Sequence, residues 1–496
     1  MKFLRRIIPW ILVAVIILAA LYIPDLGPEN YRDFDSLFKN ERVRQGIAGY
    51  EVAIIKGGEI VFNKAYGFDG QRNLLDTSTP LYIGPASEIF TGTLLAQLVN
   101  EKKISLDVPI THFIPELGSL KARTAGGDSL ELPLTLRLLA AHRVAFPEKD
   151  LPEFDPETMG LEAGLPDADL FLSSHFPTEK YTRSRLSYRI VGAILEKASG
   201  MKYSELLESM IAIPLDMRST TAEPSSMLRI AVGAGSFFGL TFPYVEKFPY
   251  DAAPSDGIVT TSEDLAKFLR FVVSPKHGQR IPGLSSAQTP MLYQPLYKDG
   301  DTGFGWRIIE NKEGRSIFQG GSIRGYASRI VIYPERNSAI AILCPQDGVL
   351  ISNFLLPKLV SCAEQVLFEG ESRRSFPTQR AQLVLGFIFI IYLLNVILQT
   401  LMSYSWAKNL LKYRETSISQ LYARFVMVRT IVGLVLRILI VLLAPLAIGA
   451  LVGWQVTYQE IIAFEPGVST MLMTALLFGV LRNITRLVMV LRLRLF

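Results

Sequence analysis

Residues 81–100 read LYIGPASEIFTGTLLAQLVN, and the rest of the chain is organised around them. Leu81–Ile83 reads as the end of a buried strand and Gly84-Pro85 as a turn, with a helix beyond. Pro85 suits a first helical turn, where its missing N–H costs nothing. Ile89, Phe90, Leu94, Leu95, Leu98 and Val99 recur at helical spacing, which predicts a helix buried on one face or more. The chain runs on as EKKISLDVPITHFIPEL.

Strand patterns flank this helix at long range. Gly49–Gly67, GYEVAIIKGGEIVFNKAYG, holds two β-patterned runs split by Gly57-Gly58, a hairpin signal. A helix with Phe34, Leu37 and Phe38 on one face precedes it. Four more strand-like runs begin at Phe304 (FGWRIIE), Arg315 (RSIFQGG), Tyr326 (YASRIVIYP) and Ser338 (SAIAILC). An amphipathic helix is expected after them, from Val349 to Phe368. Early strands pairing with late ones, with a helical insert between, define an α+β sandwich around an antiparallel sheet.

The segment around residues 81–116 resembles the first motif of the serine β-lactamase and penicillin-binding-protein family. The resemblance is to the branch of class C β-lactamases, D-aminopeptidases and related esterases. Ile83-Gly84, Phe90-Thr91, Leu106-Asp107, Pro109 and Ile114-Pro115-Glu116 carry it. Further matches follow in order: LTLRLLAAHRVAFP (Leu134–Pro147), YRIVGAILEKASGMKYSELLESMIAIPLDMRST (Tyr188–Thr220) and SDGIVTTSEDLAKFL (Ser255–Leu269). The last is similar to the family segment aGGlvSTaxDlaxFl. The resemblance spans about Phe34 to Leu367 and implies the β-lactamase/transpeptidase-like fold.

The family's reactive positions are filled differently. Its S-x-x-K serine and lysine fall on Pro85 and Glu88, and a register starting at Ser87 puts Phe90 at the lysine, so Ser87 reads as a solvated or backbone-bonding serine of a first turn. The Y-S-N triplet falls on Arg183-Ser184-Arg185. The third box, H-x-G or K-T-G, reads Phe318-Gln319-Gly320-Gly321, with Phe318 taken at the cationic position and Gly320 and Gly321 kept. Acyl transfer needs a nucleophile, a base and oxyanion donors, and combined losses reduce such units to near background. Pro85, Glu88, Arg183, Arg185, Phe318, Gly320 and Gly321 are therefore expected to form a degenerate binding cleft with no catalytic residue. The resemblance makes Glu88 and Arg183 neighbours across it. An unpaired carboxylate there would be costly, so Glu88 should accept a charge-assisted hydrogen bond from Arg183 or Arg185, plugging the space where substrate would sit. His142 reads as a structural histidine, and His112, His175 and His277 are assigned nothing. The aromatic run Phe237, Phe238, Phe242, Tyr244, Phe248, Tyr250 fits cleft lining, core packing or an exposed contact surface equally.

The ends of the chain read as membrane segments. Of 496 residues, 49% are hydrophobic, and the excess gathers in the first 23 residues and after Gln379. MKFLRR precedes an apolar run of about 17 residues, longer than a signal-peptide core, which favours an uncleaved anchor. Gln382–Met402 and Thr430–Trp454 read as spans, and VSTMLMTALLFGV as a third. Lys408, Lys412, Arg414, Arg424 and Arg429 mark an inner loop, and Arg482, Arg486, Arg492 and Arg494 an inner end. Four spans then place both termini inside and the central domain outside. The net charge of +5 comes largely from these flanks, which excludes a nucleic-acid footprint. The absence of mid-membrane charge pairs argues against a transporter. Cys344 and Cys362 cluster with no histidine, so no metal is expected; two buried thiols are favoured over a disulfide.

The expected organisation is a signal anchor at 1–24, an extracytoplasmic β-lactamase-like domain at 25–375 and a transmembrane three-helix bundle at 376–496. The architecture also resembles bacterial prodrug-activating peptidases with three C-terminal helices. The leading expectation is a non-hydrolytic protein of the bacterial inner membrane, needing no cofactor, that binds a peptide, cell-wall fragment or protein partner. Its rivals are an active serine hydrolase (a D-peptidase, carboxypeptidase or esterase) with an unrecognised nucleophile, and a structural partner of other membrane proteins.

Overall fold

The computed structural model describes residues 28–115, 121–123, 129–131, 134–144, 146, 181–224, 229–244, 250–274, 281–285, 287–298, 300–311, 314–348, 350–402 and 466–492, with scattered positions between 405 and 439. The expected anchor at 1–24, most of the span at Thr430–Trp454 with its flanking loops, and His175 and His277 lie outside the described residues. The chain divides into two compact units. One comprises Pro28–Gly235 and Thr241–Ser375; the other comprises Met1–Gly27, Ser236–Leu240 and Phe376–Phe496.

In chain order the strands are β1 (Asn30–Tyr31), β2 (Gly49–Lys56), β3 (Glu59–Gly67), β4 (Leu81–Tyr82), β5 (Lys121–Arg123), β6 (Ser129–Glu131), β7 (Gly233–Phe237), β8 (Leu240–Tyr244), β9 (Val259–Thr260), β10 (Arg307–Asn311), β11 (Gly314–Ile323), β12 (Tyr326–Tyr333), β13 (Ser338–Cys344) and β14 (Ser372–Arg373). The helices are α1 (Phe34–Gln45), α2 (Glu88–Asn100), α3 (Leu136–Ala140), α4 (Arg185–Ser199), α5 (Tyr203–Leu207), α6 (Ser262–Val273), α7 (Leu356–Glu369), α8 (Thr378–Leu401) and α9 (Pro466–Arg492).

The larger unit is built on a six-stranded antiparallel sheet in the order β10-β11-β12-β13-β2-β3. Its early and late parts join where Ile54 faces Ile340 and Ala53 faces Ala341. Gly57 and Gly58, at φ 61° and 85°, turn β2 into β3, the left-handed pair a tight hairpin requires. Strand alternation sorts the side chains into two cores. Tyr50, Val52 and Ile54 pack with Leu37 and Phe38 of α1 and with Leu359 and Ala363 of α7. Ala53, Ile55, Ala341 and Leu343 face the core built by α2, α4 and α6. The fold is thus the expected α+β sandwich, with the sheet between two helical layers. The helix expected from Val349 differs at its start: a π-turn, Ile351–Leu355, precedes α7, and Pro357 occupies its first turn, where no N–H is needed.

One residue of β2 breaks the apolar pattern. Glu51 is fully buried on the α6 side of the sheet; its Oε2 accepts from the Ser262 N–H at 2.8 Å, while Oε1 has no hydrogen-bond partner among the described residues. Burial pushes its carboxyl well above the ordinary value, against the opposing hydrogen bond from Ser262.

At the two ends of this unit, β1 pairs with β14, Asn30 facing Arg373 and Tyr31 facing Ser372. Buried Glu41 of α1 accepts from the Tyr31 hydroxyl at 2.9 Å, the Ser375 N–H at 3.1 Å and the Ser375 hydroxyl. In the smaller unit, Thr378–Leu398 of α8 is long and apolar enough to cross a bilayer, and α9 runs for 27 residues.

Candidate functional site

Residues 81–100 lie under the site. Every residue from Leu81 to Leu98 is buried. Gly84, at φ 56°, leads into a 3-10 turn, Gly84–Ser87, and α2 starts at Glu88. The backbone at Phe304 and Gly305 crosses close over this start. A Cβ at Gly92 would collide with the Phe304 carbonyl group, and one at Gly305 with the Glu88 carbonyl oxygen. The carboxylate of Glu88 is therefore enclosed from the first turn onward.

Three donors converge on it. Arg183 places Nε and Nη2 each 3.0 Å from Oε1. Gln319 Nε2 donates to Oε2 at 2.8 Å, and His142 Nε2 lies 3.0 Å from the same oxygen. The Ser184 N–H donates to His142 Nδ1 at 3.3 Å, so the hydrogen-bond network assigns the ring proton to Nε2, facing Glu88. The imidazole stacks on Tyr188 at 4.9 Å and meets Tyr181 edge-on at 5.1 Å. Glu88 and His142 are both buried, whereas the Arg183 side chain keeps 24% of its surface exposed.

Arg183 is shared with a second carboxylate. Its Nη2 donates to Asp256 Oδ1 at 2.8 Å, and Arg185 Nε stands 3.8 Å from Asp256 Oδ2. Burial opposes the charge on Arg183, but Asp256 and then Glu88 outweigh it and raise its pKa above the usual arginine value. Burial likewise opposes the charge on Asp256, and Arg183 and Arg185 reverse the balance, holding its pKa below the ordinary carboxylate value. Tyr181, with Arg307 stacked on its ring at 3.5 Å, is pushed up to about 12 by burial and then by Glu88.

The structure brings together most of the residues singled out in the sequence. The expected contact between Glu88 and Arg183 is present, while Arg185 reaches Asp256 instead. Pro85 lies against Gly321: a Cβ on that glycine would stand 2.9 Å from Pro85 Cγ. At Gly320, φ 146°, a Cβ would strike the Ser328 carbonyl oxygen. Phe318 is the exception. Strand alternation turns it to the opposite face of the sheet, where it packs on the α1/α7 core with the Arg329 guanidinium 3.8 Å from its ring centre. The next residue, Gln319, faces Glu88. Ser87 is buried, and its Oγ accepts from the Ile258 N–H at 3.0 Å.

Gln319 and His142 were not singled out as partners of Glu88, nor Asp256 as a partner of Arg183. Asp256 did leave a signal, because it stands where the similar family segment has a glycine. Among the described residues no group of three His, Cys, Asp or Glu side chains could hold a metal ion.

This chain belongs to the β-lactamase family, whose description, Beta-lactamase, matches residues 34–350. It is similar to Protein flp of Staphylococcus aureus (strain MW2), 22% identical over 343 residues, 68% of this chain and 66% of that protein. The match thus spans just under two thirds of that relative. The D-alanyl-D-alanine-carboxypeptidase/endopeptidase AmpH of Escherichia coli (strain K12) is 24% identical over 315 residues, 59% of this chain and 78% of AmpH. Among solved structures, the octameric penicillin-binding protein homologue from Pyrococcus abyssi superposes with a TM-score of 0.53 at 21% identity, covering 68% of this chain and 76% of that one. At that identity the superposition speaks for the fold alone.

Proposed function

We propose that this chain is a non-hydrolytic member of its family, held at the outer face of a bacterial inner membrane. Its remodelled cleft would bind a peptide, a cell-wall fragment or a protein partner at Arg183, Arg185, Gly320 and Gly321, which keep exposed surface beside buried Pro85, Glu88 and Gln319. One observation carries the reading. Where the resemblance puts the family's lysine, Glu88 is saturated by Arg183, His142 and Gln319, and Pro85 occupies the nucleophile position with no hydroxyl to offer. With both oxygens of the carboxylate already accepting from these donors, little lone-pair capacity is left for an incoming group. The hydroxyl next to it in sequence, Ser87, is buried and bonded to backbone. The name of the relative AmpH supports a peptide as the ligand class.

The proposed organisation follows the sequence: an anchor at 1–24, an outer domain at 25–375 and three membrane helices within 376–496. The apolar run of α8 supports the first of those helices, and the basic flanks support the orientation.

The test is covalent labelling of the full chain with a fluorescent penicillin and a fluorophosphonate. No labelling above a heat-denatured control is expected from either. Specific labelling that disappears in Ser87→Ala or Ser184→Ala would overturn the non-hydrolytic reading and favour an active serine hydrolase.

A further inference from the structure

Of the aromatic run, Phe237 and Phe238 make their ring contacts with each other and with α8, and Phe248 lies outside the described residues. Strands β7 and β8 form a two-stranded sheet joined through Phe238 and Gly239, at φ 51° and 76°. A two-residue turn with both positions left-handed ordinarily takes Asn-Gly or Gly-Gly, because a bulky side chain is disfavoured there. A phenylalanine in the first position therefore needs a contact outside the turn.

Helix α8 provides that contact. The Phe238 ring stacks on Phe389, centroids 5.9 Å apart and planes 25° apart, and meets Phe237 edge-on at 5.0 Å. Gly386 makes the room: a Cβ there would come within 3.1 Å of Phe238. Gly239 lies over Gln382 and Gln379, 3.1 and 3.6 Å from where its own Cβ would be. Residues Ser236–Leu240 accordingly fall in the same compact unit as α8. Phe238 is buried by the helix, whereas neighbouring Leu240 is 63% exposed. The helix itself exposes Leu383, Phe387, Ile390 and Leu394.

The level of the contact is informative. The polar start of α8 ends at Gln382. Gly386 and Phe389 follow about 6 and 10 Å further along the axis, at 1.5 Å per residue. Apolar groups that dip into a membrane interface sit roughly 5–10 Å deep. We propose that Phe237–Leu240 is a membrane wedge, inserted into the outer leaflet beside α8, with phospholipid acyl chains covering Leu240. This rests on the reading that α8 spans a bilayer.

Cys344 and Cys362 are buried, so an introduced surface cysteine can be labelled selectively in the native full chain. Leu240→Cys, Leu394→Cys and Ile213→Cys would each carry an environment-sensitive fluorophore in vesicles of phosphatidylethanolamine and phosphatidylglycerol. Nitroxide-bearing lipids, with the quencher high or deep on the acyl chain, would read depth. The wedge predicts quenching at 240 by the shallow nitroxide at least about twofold above that at 213, and quenching at 394 mainly by the deep one. Quenching at 394 with none at 240 above the 213 control would overturn the wedge and leave the span intact. No quenching at 394 would overturn the span and the wedge with it. A dye at 240 shielded from aqueous iodide yet untouched by either nitroxide would reveal a protein cover, and would also overturn the wedge.

Discussion

Glu88 shows how far a single residue could be read from the sequence. Its contact with Arg183 was legible because both replace groups that the family brings together, and the two replacements are opposite in charge. Removing the carboxylate takes from Arg183, His142 and Gln319 the acceptor they share, although Arg183 keeps Asp256 and Gln319 keeps the Gly305 carbonyl oxygen. Glu88→Ala should cost about 3 kcal/mol, within the range for breaking a buried ion pair, in urea unfolding of the full chain in detergent followed by near-ultraviolet dichroism. A loss below about 1 kcal/mol would mark the cluster as solvent-screened. Asp256 adds a pH dependence. Its folded pKa lies below the ordinary 3.8, so its contribution is complete above that value and is lost as pH falls through the folded value. Acid unfolding should therefore reach the cluster only below about pH 4, and Asp256→Asn should remove that component. Glu51 has the opposite sign, since its folded pKa is raised. Its contribution is complete below about pH 4.3, the unfolded value, and declines as pH rises toward the folded one. Glu51→Gln should thus match the native chain in thermal melts near pH 4 and exceed it near pH 8. An equal difference at both pH values would refute the assignment.

At the scale of elements, helices and strands were legible and their rotational registers less so. The hairpin at Gly57-Gly58 and the four late strands follow from alternation and turn chemistry. Phe318 and Gln319 are adjacent on one strand, and only the pairing of β11 with β12, Phe318 facing Val331 and Gln319 facing Ile330, decides which side chain reaches the site. A one-residue slip exchanges the two faces of a strand, and a motif containing two consecutive glycines offers no apolar pattern to fix it. The crossing of α2 with residues 304–305 yields a further prediction. In an exposed helix, glycine to alanine gains about 1 kcal/mol. At Gly92 the added methyl would meet the Phe304 carbonyl group, main chain that cannot rotate away. Gly92→Ala should instead destabilise by roughly 1–3 kcal/mol, the range for overpacking. A stabilised variant would show that the two segments separate easily.

For the molecule as a whole, the apolar character of the two ends is plain in the composition, and a bilayer as their setting is a proposal that the length and apolarity of α8 support. Topology is the part to test in the native membrane. A cysteine within 456–467 should react with an impermeant maleimide added from outside, and one within 409–419 should not; the reverse pattern would overturn the four-span arrangement. The aromatic hairpin, by contrast, could not be placed from sequence, since phenylalanines packed on a helix and phenylalanines lining a cleft have the same composition. The pairing of β1 with β14 has a mechanical consequence. The chain arrives through Glu29 and departs through Arg374, whose N–H donates to the Glu29 carbonyl oxygen at 3.0 Å. Tension drawing the two tails apart would open this short ladder like a zip, pair by pair, with Glu41 and Ser375 as the final catch. The first elements to part under such a load are β1 and β14, which share no strand pairing with the six-stranded sheet.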